Sequence, residues 1–420
     1  MHIVVLGGGS TGEHFVGALR RFDHESQVTV VERRLVGGEC SYWACMPTKT
    51  MLRAPELAAA AGRTLGALSG ARLDPGAVFA WRDVVAERDD SSQVEWLRSK
   101  DARLLRGEGV VEPGVVRVGD ETLEYDRLVV ATGSSPIVPE AVEGLDYWTN
   151  VDATETTEAP ATLAVLGGGP VGCELAQFFA RVGSSVTLFQ SASRLLPRID
   201  ADAGALVEEA LREDGVDVRL SSSVARDDLE GFDRVLVATG RRANVGGLDA
   251  LGLTISKRGI EVDERMRAAE NVWALGDVTG IAPFTHVGKY HARVAAYDMA
   301  GRPARADHRA VPATIFTDPQ VATVGSPEGV SSRWELTSTP RLSTYERPKR
   351  PGFVKVFAHP QKRTLNGAVA VGPEAGEWLQ QLTLAIRAET PIEVLLDVIP
   401  PYPTFSEAVF LALRELNLDL

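Results

Sequence analysis

Residues 3–15 read IVVLGGGSTGEHF and residues 163–175 read LAVLGGGPVGCEL. Each is a short apolar run that enters G-x-G-x-x-G and then a helical pattern. The glycines are Gly7, Gly9 and Gly12 in the first copy and Gly167, Gly169 and Gly172 in the second. In such a turn the first glycine permits a tight bend, the second lets a pyrophosphate approach the backbone, and the third lets helix pack on strand. The helix that follows offers unpaired N–H groups to phosphate oxygens. One motif alone is a weak signal; two, each between an apolar strand and a helix, predict two dinucleotide-binding units.

The repetition continues outward. A second strand follows each turn, VTVVER at 28–33 and VTLFQS at 186–191. The first ends in Glu32, placed to accept bonds from an adenosine ribose. YDRLVVATGSSP (125–136) and FDRVLVATGRRA (232–243) are near copies, and each closes one nucleotide-binding half. NVWALGDVTG (271–280) is an apolar strand ending at Gly276-Asp277. Two dinucleotides on one chain point to electron transfer between them.

Bulk composition narrows the partners. The 420 residues are 44% hydrophobic and 24% charged, with a net charge of -13. That is ordinary globular material, and the acidic balance argues against a nucleic-acid partner. No apolar run approaches the ~18 residues of a membrane helix. The chain enters a strand almost at Met1, without the layout of a secretory signal, and three cysteines are no disulfide framework. The expected compartment is the cytoplasm.

In combination these motifs resemble the FAD-dependent pyridine nucleotide–disulfide oxidoreductases, which include dihydrolipoamide dehydrogenase, glutathione reductase and mercuric reductase. The resemblance covers essentially the whole chain. Its elements are Gly7–Gly12, Glu32, a CxxxxC segment, Ala131-Thr132-Gly133, Gly167–Gly172, Ala238-Thr239-Gly240, Gly276-Asp277 and a C-terminal region opening with FTDPQVATVG at 316–325. It implies an α/β fold with two Rossmann-like domains, for FAD and NAD(P), plus a C-terminal α+β dimerisation domain. The implied boundaries are 1–148 and 270–308 for the FAD domain, 149–269 for the NAD(P) domain and 309–420 for the dimer interface. Gly38, Lys49, Gly109, Thr132, Gly133, Asp277 and Thr285 would join the first glycine set around FAD. Gln190, Ser191, Arg194 and Gly240 would join the second set around NAD(P).

Two of the three cysteines sit in GGECSYWACMPTKT, residues 37–50. Zinc needs about four ligands with matched spacings, and one pair without a nearby histidine does not supply them. In a regular helix, residues five apart have Cα atoms about 8.6 Å apart. A disulfide needs less than about 7 Å. The pair can therefore bond only if the helix is distorted, as Pro47 could cause, or begins within the segment. A helix N-terminus would favour the thiolate, with Lys49 nearby. The resemblance matches Gly37, Gly38, Cys40, Cys45, Pro47 and Lys49. It implies that Cys45 lies against the flavin as a charge-transfer thiolate, that Cys40 is the outer thiol attacking substrate, and that Lys49 pairs with Glu174. Cys173 reads as an inert buried thiol. Tyr42 and Trp43 depart from the family pattern and are expected to pack as core rather than form a substrate platform.

A second departure lies at the C-terminus. Relatives carry His-Pro-Thr-x-x-Glu there, supplied by the partner subunit of a homodimer. Here the segment is PPYPTFSEAV (400–409), with Tyr402 at the histidine position and Glu407 kept. A histidine can accept and return a proton near neutrality, whereas a tyrosine with a pKa near ~10 mostly donates. Ordinary lipoamide or glutathione reduction is thereby put in doubt. Mercury reduction is little favoured as well, since no cysteine follows Cys173. Gln190 stands where NAD-specific relatives have an acid, which removes repulsion against a 2′-phosphate and gives a slight lean to NADPH over NADH. The expectation is a homodimeric flavoenzyme that passes electrons from NAD(P)H through FAD to Cys40–Cys45 and on to a small-molecule acceptor. The alternatives are an NAD(P)H:quinone or dye reductase using the flavin directly, and a non-enzymatic redox or nucleotide sensor.

Overall fold

The computed structural model describes residues 1–418 apart from 69 and 348. The chain forms two compact units. One comprises residues 1–48, 82–137 and 240–307; the other comprises 49–81, 138–239 and 308 onward.

The first unit is built on His2–Leu6, the central strand of a six-stranded sheet. Gln27–Glu32 and Arg127–Val130 flank it in parallel, and Ala102–Arg106 and Val272–Ala274 extend the sheet. Arg267–Ala269 adds an antiparallel edge. These strands are nearly continuous apolar runs because both faces are covered. Phe15, Val16 and Leu19 of the helix Ser10–Leu19 pack on one face, together with Ala292 and Ala295 of the helix Thr285–Met299. A three-stranded antiparallel sheet (Val110–Glu112, Val115–Val118, Glu121–Glu124) covers the other with Val111, Val116 and Leu123.

The second unit repeats the plan. Thr162–Leu166 is flanked in parallel by Ser185–Phe189 and Arg234–Val237, with Asp217–Arg219 and Tyr147–Trp148 outside them. The hydrogen bonds at the two turns repeat as well. Gly7 N donates to Val31 O at 2.9 Å and Gly167 N to Phe189 O at 2.8 Å, while Ala131 N to Leu6 O and Ala238 N to Leu166 O are both 2.8 Å. Residues from 308 onward add a five-stranded antiparallel sheet. Its side chains alternate between two cores, as a strand dictates. Val321, Phe353, Val369 and Val371 join the core of the nucleotide sheet. Ala322, Val354, Ala368 and Ala370 face helices that include Gln380–Arg387 and Ser406–Arg414.

The divisions at 148/149 and 269/270 differ from the compact units, which cross over at 137/138 and 239/240. The reason is an antiparallel pair, Ser134–Pro136 with Arg241–Ala243, that closes the first unit. Tyr147–Trp148 then belongs to the second sheet and Arg267–Ala269 to the first. Among the described residues no helix is long and apolar enough to cross a membrane.

A buried ionic cluster fixes the entry to the antiparallel sheet. Asp318 meets Arg63 at 3.2 Å, Arg181 at 3.0 Å and Arg350 at 2.5 Å, and Glu346 meets Arg63 at 2.7 Å. Burial alone would raise the Asp318 carboxyl, but Arg350, Arg181 and Arg63 outweigh it and the net direction is down. Replacing Asp318 by Asn is expected to cost about 3–5 kcal/mol, because it leaves buried arginines short of a carboxylate. A lowered folded-state pKa stabilises fully above the ordinary carboxylate value and is lost as pH falls through the folded value. The melting-temperature gap between wild type and Asp318→Asn should therefore persist at neutral pH and narrow only below about pH 4. A gap already closed at pH 5 would show that the three cations do not hold this carboxylate.

Candidate active site

The first glycine turn has the shape of a phosphate cradle. Gly7 has φ +106°, and a Cβ there would lie 2.3 Å from Ala131 O. A Cβ at Gly12 would lie 2.0 Å from Gly7 O, so helix and strand touch backbone to backbone. At Gly9 the nearest atom would be Gly38 Cα at 3.9 Å. Backbone contact at the first and third glycines, with open space at the second, is what a bound pyrophosphate requires. Glu32 Oε2 accepts from Gly8 N at 2.8 Å, and Oε1 accepts from Arg34 N at 2.7 Å. Each oxygen keeps a lone pair for a ribose hydroxyl.

Other residues expected around FAD lie on the same unit. A Cβ at Gly109 would lie 2.5 Å from Leu6 Cδ1, so a larger residue there would have to displace the Leu6 side chain. Thr132 Oγ1 donates to Asn244 O at 2.7 Å, and Asn244 Nδ2 returns a bond to Thr132 O at 2.9 Å. Gly133, at φ +72°, accepts from Asn244 N. Asp277 sits in the short turn Gly276–Thr279, and its Oδ2 accepts from Ser134 Oγ at 2.6 Å. The fully buried His291 braces that turn, its Nδ1 accepting from Gly276 N at 3.1 Å.

The cysteine segment is laid on the same glycine turn. Gly37 N donates to Gly8 O at 2.9 Å. A Cβ at Gly38 would lie 2.9 Å from Gly9 Cα, and Gly38 itself has φ +63°. A five-residue helix, Gly38–Tyr42, carries Cys40; the chain breaks at Trp43 and Ala44, and a new helix, Cys45–Gly62, starts at the second cysteine. Of the two local routes open to the sequence, the helix therefore begins within the segment. Pro47 falls in its first turn, where a missing N–H costs nothing.

Thr285 Oγ1 lies 3.4 Å from Cys45 Sγ, and Cys45 and Thr285 are both close enough to act on the Cys40 thiol. Cys45 and then burial push the Cys40 thiol well up, while Thr285 and Lys289 oppose them. Lys289 is exposed one helical turn after Thr285. Tyr42 and Trp43 are both buried. Tyr42 donates to Val36 O at 3.0 Å and packs edge-on against Trp43 at 5.5 Å, while the Arg34 guanidinium lies 3.9 Å over the Trp43 ring. Burial and then Asp90 push the Tyr42 hydroxyl up to about 12.

The second unit carries the other set. A Cβ at Gly167 would lie 2.4 Å from Ala238 O, one at Gly172 would lie 1.8 Å from Gly167 O, and one at Gly169 would meet nothing within 4 Å. This is again a cradle, followed by the helix Pro170–Arg181, with Pro170 at its first position, where proline is favoured. Gln190 Oε1 accepts from Gly168 N at 3.2 Å, the counterpart of the Glu32–Gly8 bond. Ser191 is exposed beside it. The Arg194 guanidinium donates to the carbonyls of Leu196, Ile199 and Pro197, so its donors brace its own loop. The Gly240 carbonyl accepts from Ile137 N at 2.9 Å.

Lys49 pairs with the buried Glu174 at 2.8 Å, and Glu174 Oε1 also accepts from Phe316 N. The Lys49 ammonium lies 4.9 Å over the Phe316 ring. Cys173 is buried, which raises its thiol further than Glu174 does, and that keeps it protonated. Tyr402 is 72% exposed. Glu407, in the first turn of Ser406–Arg414, has a buried Oε2 without a hydrogen-bond partner. Among the described residues no group of three or more His, Cys, Asp or Glu could hold a metal ion.

The structure adds Glu39, Ser134, Arg241, Asn244, Lys289 and Phe316 to the residues read from sequence. Each lies next to a motif, and adjacency was the only sequence signal available.

A sequence profile described as pyridine nucleotide-disulphide oxidoreductase matches residues 1–300, and its dimerisation-domain companion matches residues 311–413. The chain is 32% identical to mercuric reductase from Shigella flexneri, over all of this chain and 81% of that protein. It is 31% identical to dihydrolipoyl dehydrogenase 2 from Haloarcula marismortui, over 97% of this chain and 94% of that one. Among solved structures, LpdA from Mycobacterium tuberculosis superposes with a TM-score of 0.87 at 25% identity, covering 99% of both chains. The HOCl-induced flavoprotein disulfide reductase RclA from Escherichia coli shares the fold, with a TM-score of 0.85 at 23% identity over the full length of both.

Because Cys45 is the largest influence raising the Cys40 thiol, Cys45→Ser should move the pH profile of Cys40 alkylation to lower pH. Iodoacetamide labelling of the reduced protein, followed by mass, measures this. An unchanged profile would show that Cys45 does not control its neighbour.

Proposed function

The chain belongs to the pyridine nucleotide-disulphide oxidoreductase family, and from that premise we propose that it carries electrons from NAD(P)H through FAD to Cys40–Cys45 and on to a small-molecule acceptor. The supporting observation is the cysteine segment laid on the first glycine turn, with Gly37 bonded to Gly8, a helix break between Cys40 and Cys45, and Thr285 against Cys45. FAD, when bound, supplies the two-electron relay that lets a nicotinamide hydride become a pair of thiols. Gly9, Glu32, Gly109 and Asp277 would hold it; Gly169, Gln190 and Ser191 would hold the nicotinamide dinucleotide.

The chain's own residues handle the protons. Reducing the disulfide takes two electrons and two protons. The Cys40 thiol is raised by Cys45 and by burial, since two negative sulfurs side by side are disfavoured. Cys40 then holds its proton and donates it toward Cys45. Passage of the proton along that bond leaves a nucleophilic thiolate at Cys40. This route needs no imidazole, which fits a chain with Tyr402 at the usual base position. Lys289 favours the charge at Cys40. Lys49, paired with Glu174, sits one turn after Cys45 and keeps a cation near the start of that helix.

The dimerisation domain suggests a homodimer. Val394 on the helix Ile392–Leu396 and Val398 and Ile399 just after it are exposed, at 52%, 53% and 92%, a few residues before Tyr402 in the chain. We take the active site to be shared between subunits, with Tyr402 and Glu407 delivered to the partner's cysteines. A second reading, direct quinone or dye reduction from the flavin, draws on the same tyrosine.

Cys40→Ser separates the two. Turnover of NAD(P)H with disulfide acceptors should fall more than about a thousandfold on loss of the nucleophile. Undiminished quinone turnover as the main activity would support the second reading. For the nicotinamide, Gln190 and Ser191 favour NADPH slightly. Gln190→Glu should shift preference to NADH by about ten- to a hundredfold in kcat/KM, the scale of a hydrogen bond to a charged group. No shift would remove Gln190 from the ribose site.

A further inference from the structure

We propose that Glu39 and Arg241 form a clamp that positions Cys40 for pairing with Cys45 and ties the redox helix to Asp277. This inference rests on Cys40–Cys45 being a redox pair. The helix Gly38–Tyr42 has five residues and no side-chain cap at Gly37, too little to hold itself in place. The break at Trp43 and Ala44 separates it from the helix that starts with Cys45. Cys40 is therefore held by whatever tethers this short helix from outside.

The Gly37–Gly8 bond and the buried Tyr42 hold the two ends of this helix, and Arg241 supplies a tether at Glu39, next to Cys40. Its Nη2 meets Glu39 Oε2 at 2.8 Å and Ser134 O at 2.7 Å, and its Nε donates to Ser134 Oγ at 2.8 Å. Ser134 spends its one hydroxyl proton on Asp277 Oδ2, at 2.6 Å. A guanidinium only donates and a carboxylate only accepts, so both ends of the chain fix the direction of every bond. Glu39, Arg241, Ser134 and Asp277 form one network with a single polarity, in which one cation serves two carboxylates. The Glu39 and Arg241 side chains are 31% and 27% exposed, which shields the pair without desolvating it fully. A lysine could not reach three acceptors in one plane. Arg241 lies on the strand that pairs with Ser134–Pro136, so the clamp is anchored in sheet structure rather than in a loop.

The consequence is chemical. A disulfide forms only when the two cysteines meet within narrow geometric limits. Loosening the short helix lowers the local concentration of Cys40 at Cys45 and makes the pair easier to reduce. Arg241 and Glu39 are positioning residues: they act through Cys40 and touch no substrate.

The test is a thiol–disulfide titration of the FAD-loaded full chain in reduced and oxidised dithiothreitol, trapped by alkylation and read by mass at Cys40 and Cys45. The buffer converts the protein disulfide to two thiols as reduced dithiothreitol becomes its cyclic disulfide, so atoms and electrons balance. Glu39→Ala and Arg241→Gln should each shift the equilibrium constant about tenfold toward the dithiol, about 30 mV for a two-electron couple. The double variant should be no further shifted than Arg241→Gln alone, since that variant already removes the bond to Glu39. Glu39→Gln, which keeps an acceptor, should restore most of the wild-type value. Unchanged constants in Glu39→Ala and Glu39→Gln, with wild-type melting temperatures, would overturn the clamp while leaving the redox pair intact. Were Arg241→Gln to unfold, the two Glu39 variants would still decide. A wild-type pair that stays dithiol across the buffer range would overturn the redox reading itself, and the clamp with it.

Discussion

A Cβ at Gly12 would lie 2.0 Å from the carbonyl oxygen of Gly7, and one at Gly172 would lie 1.8 Å from that of Gly167. No side chain survives at those distances, so strand and helix meet backbone to backbone at both turns. This close approach opens the space at Gly9 and Gly169. In the first unit it also gives the cysteine segment a floor, since Gly37 bonds Gly8 and Gly38 rests on Gly9. Alanine at Gly38 would face both a left-handed backbone and the Gly9 Cα. The position of Cys40 thus begins with a nucleotide-binding constraint, and the redox chemistry is attached to the phosphate loop rather than built separately.

The two turns have diverged in what closes them. Glu32 and Gln190 make equivalent bonds to Gly8 and Gly168, so both brace their loops in the same way. The carboxylate carries charge toward a ribose and the amide does not. The difference lies in the ligand each can tolerate rather than in the fold. Arg194 shows the same economy of local bracing: three carbonyls of its own loop accept from its guanidinium.

Much of this was legible in the sequence because it is local. G-x-G-x-x-G between strand and helix encodes a turn, and its duplication encodes two sheets of the same plan. The cysteine spacing showed that an unbroken helix would keep the sulfurs apart, and the break at Trp43 and Ala44 is how the chain avoids that. Tyr42 and Trp43 are also decided locally, by Val36 and Arg34 close by. What sequence could not show depends on partners far away in the chain. Glu39 and Arg241 are 202 residues apart, and charge patterns carry no period that joins them. Nor could sequence show that Asp318 would gather Arg63, Arg181 and Arg350. The unit boundaries fell elsewhere because one short antiparallel pair, Ser134–Pro136 with Arg241–Ala243, decides which side of the crossover each residue joins.

On the proposed reading, in which Tyr402 stands at the position of a histidine, the surroundings of the cysteine pair supply a physical context. A separate base is needed when the attacking thiol has no neighbour to take its proton. Here Cys45 and burial raise the Cys40 thiol, Thr285 lies against Cys45, and Thr285 and the exposed Lys289 oppose the rise. Such a site suits an acceptor that reacts with a small standing fraction of thiolate, or one whose product does not need a proton delivered on departure. Beside Cys40 in the chain, Glu39 is paired with Arg241, and Lys289 favours negative charge at the Cys40 thiol.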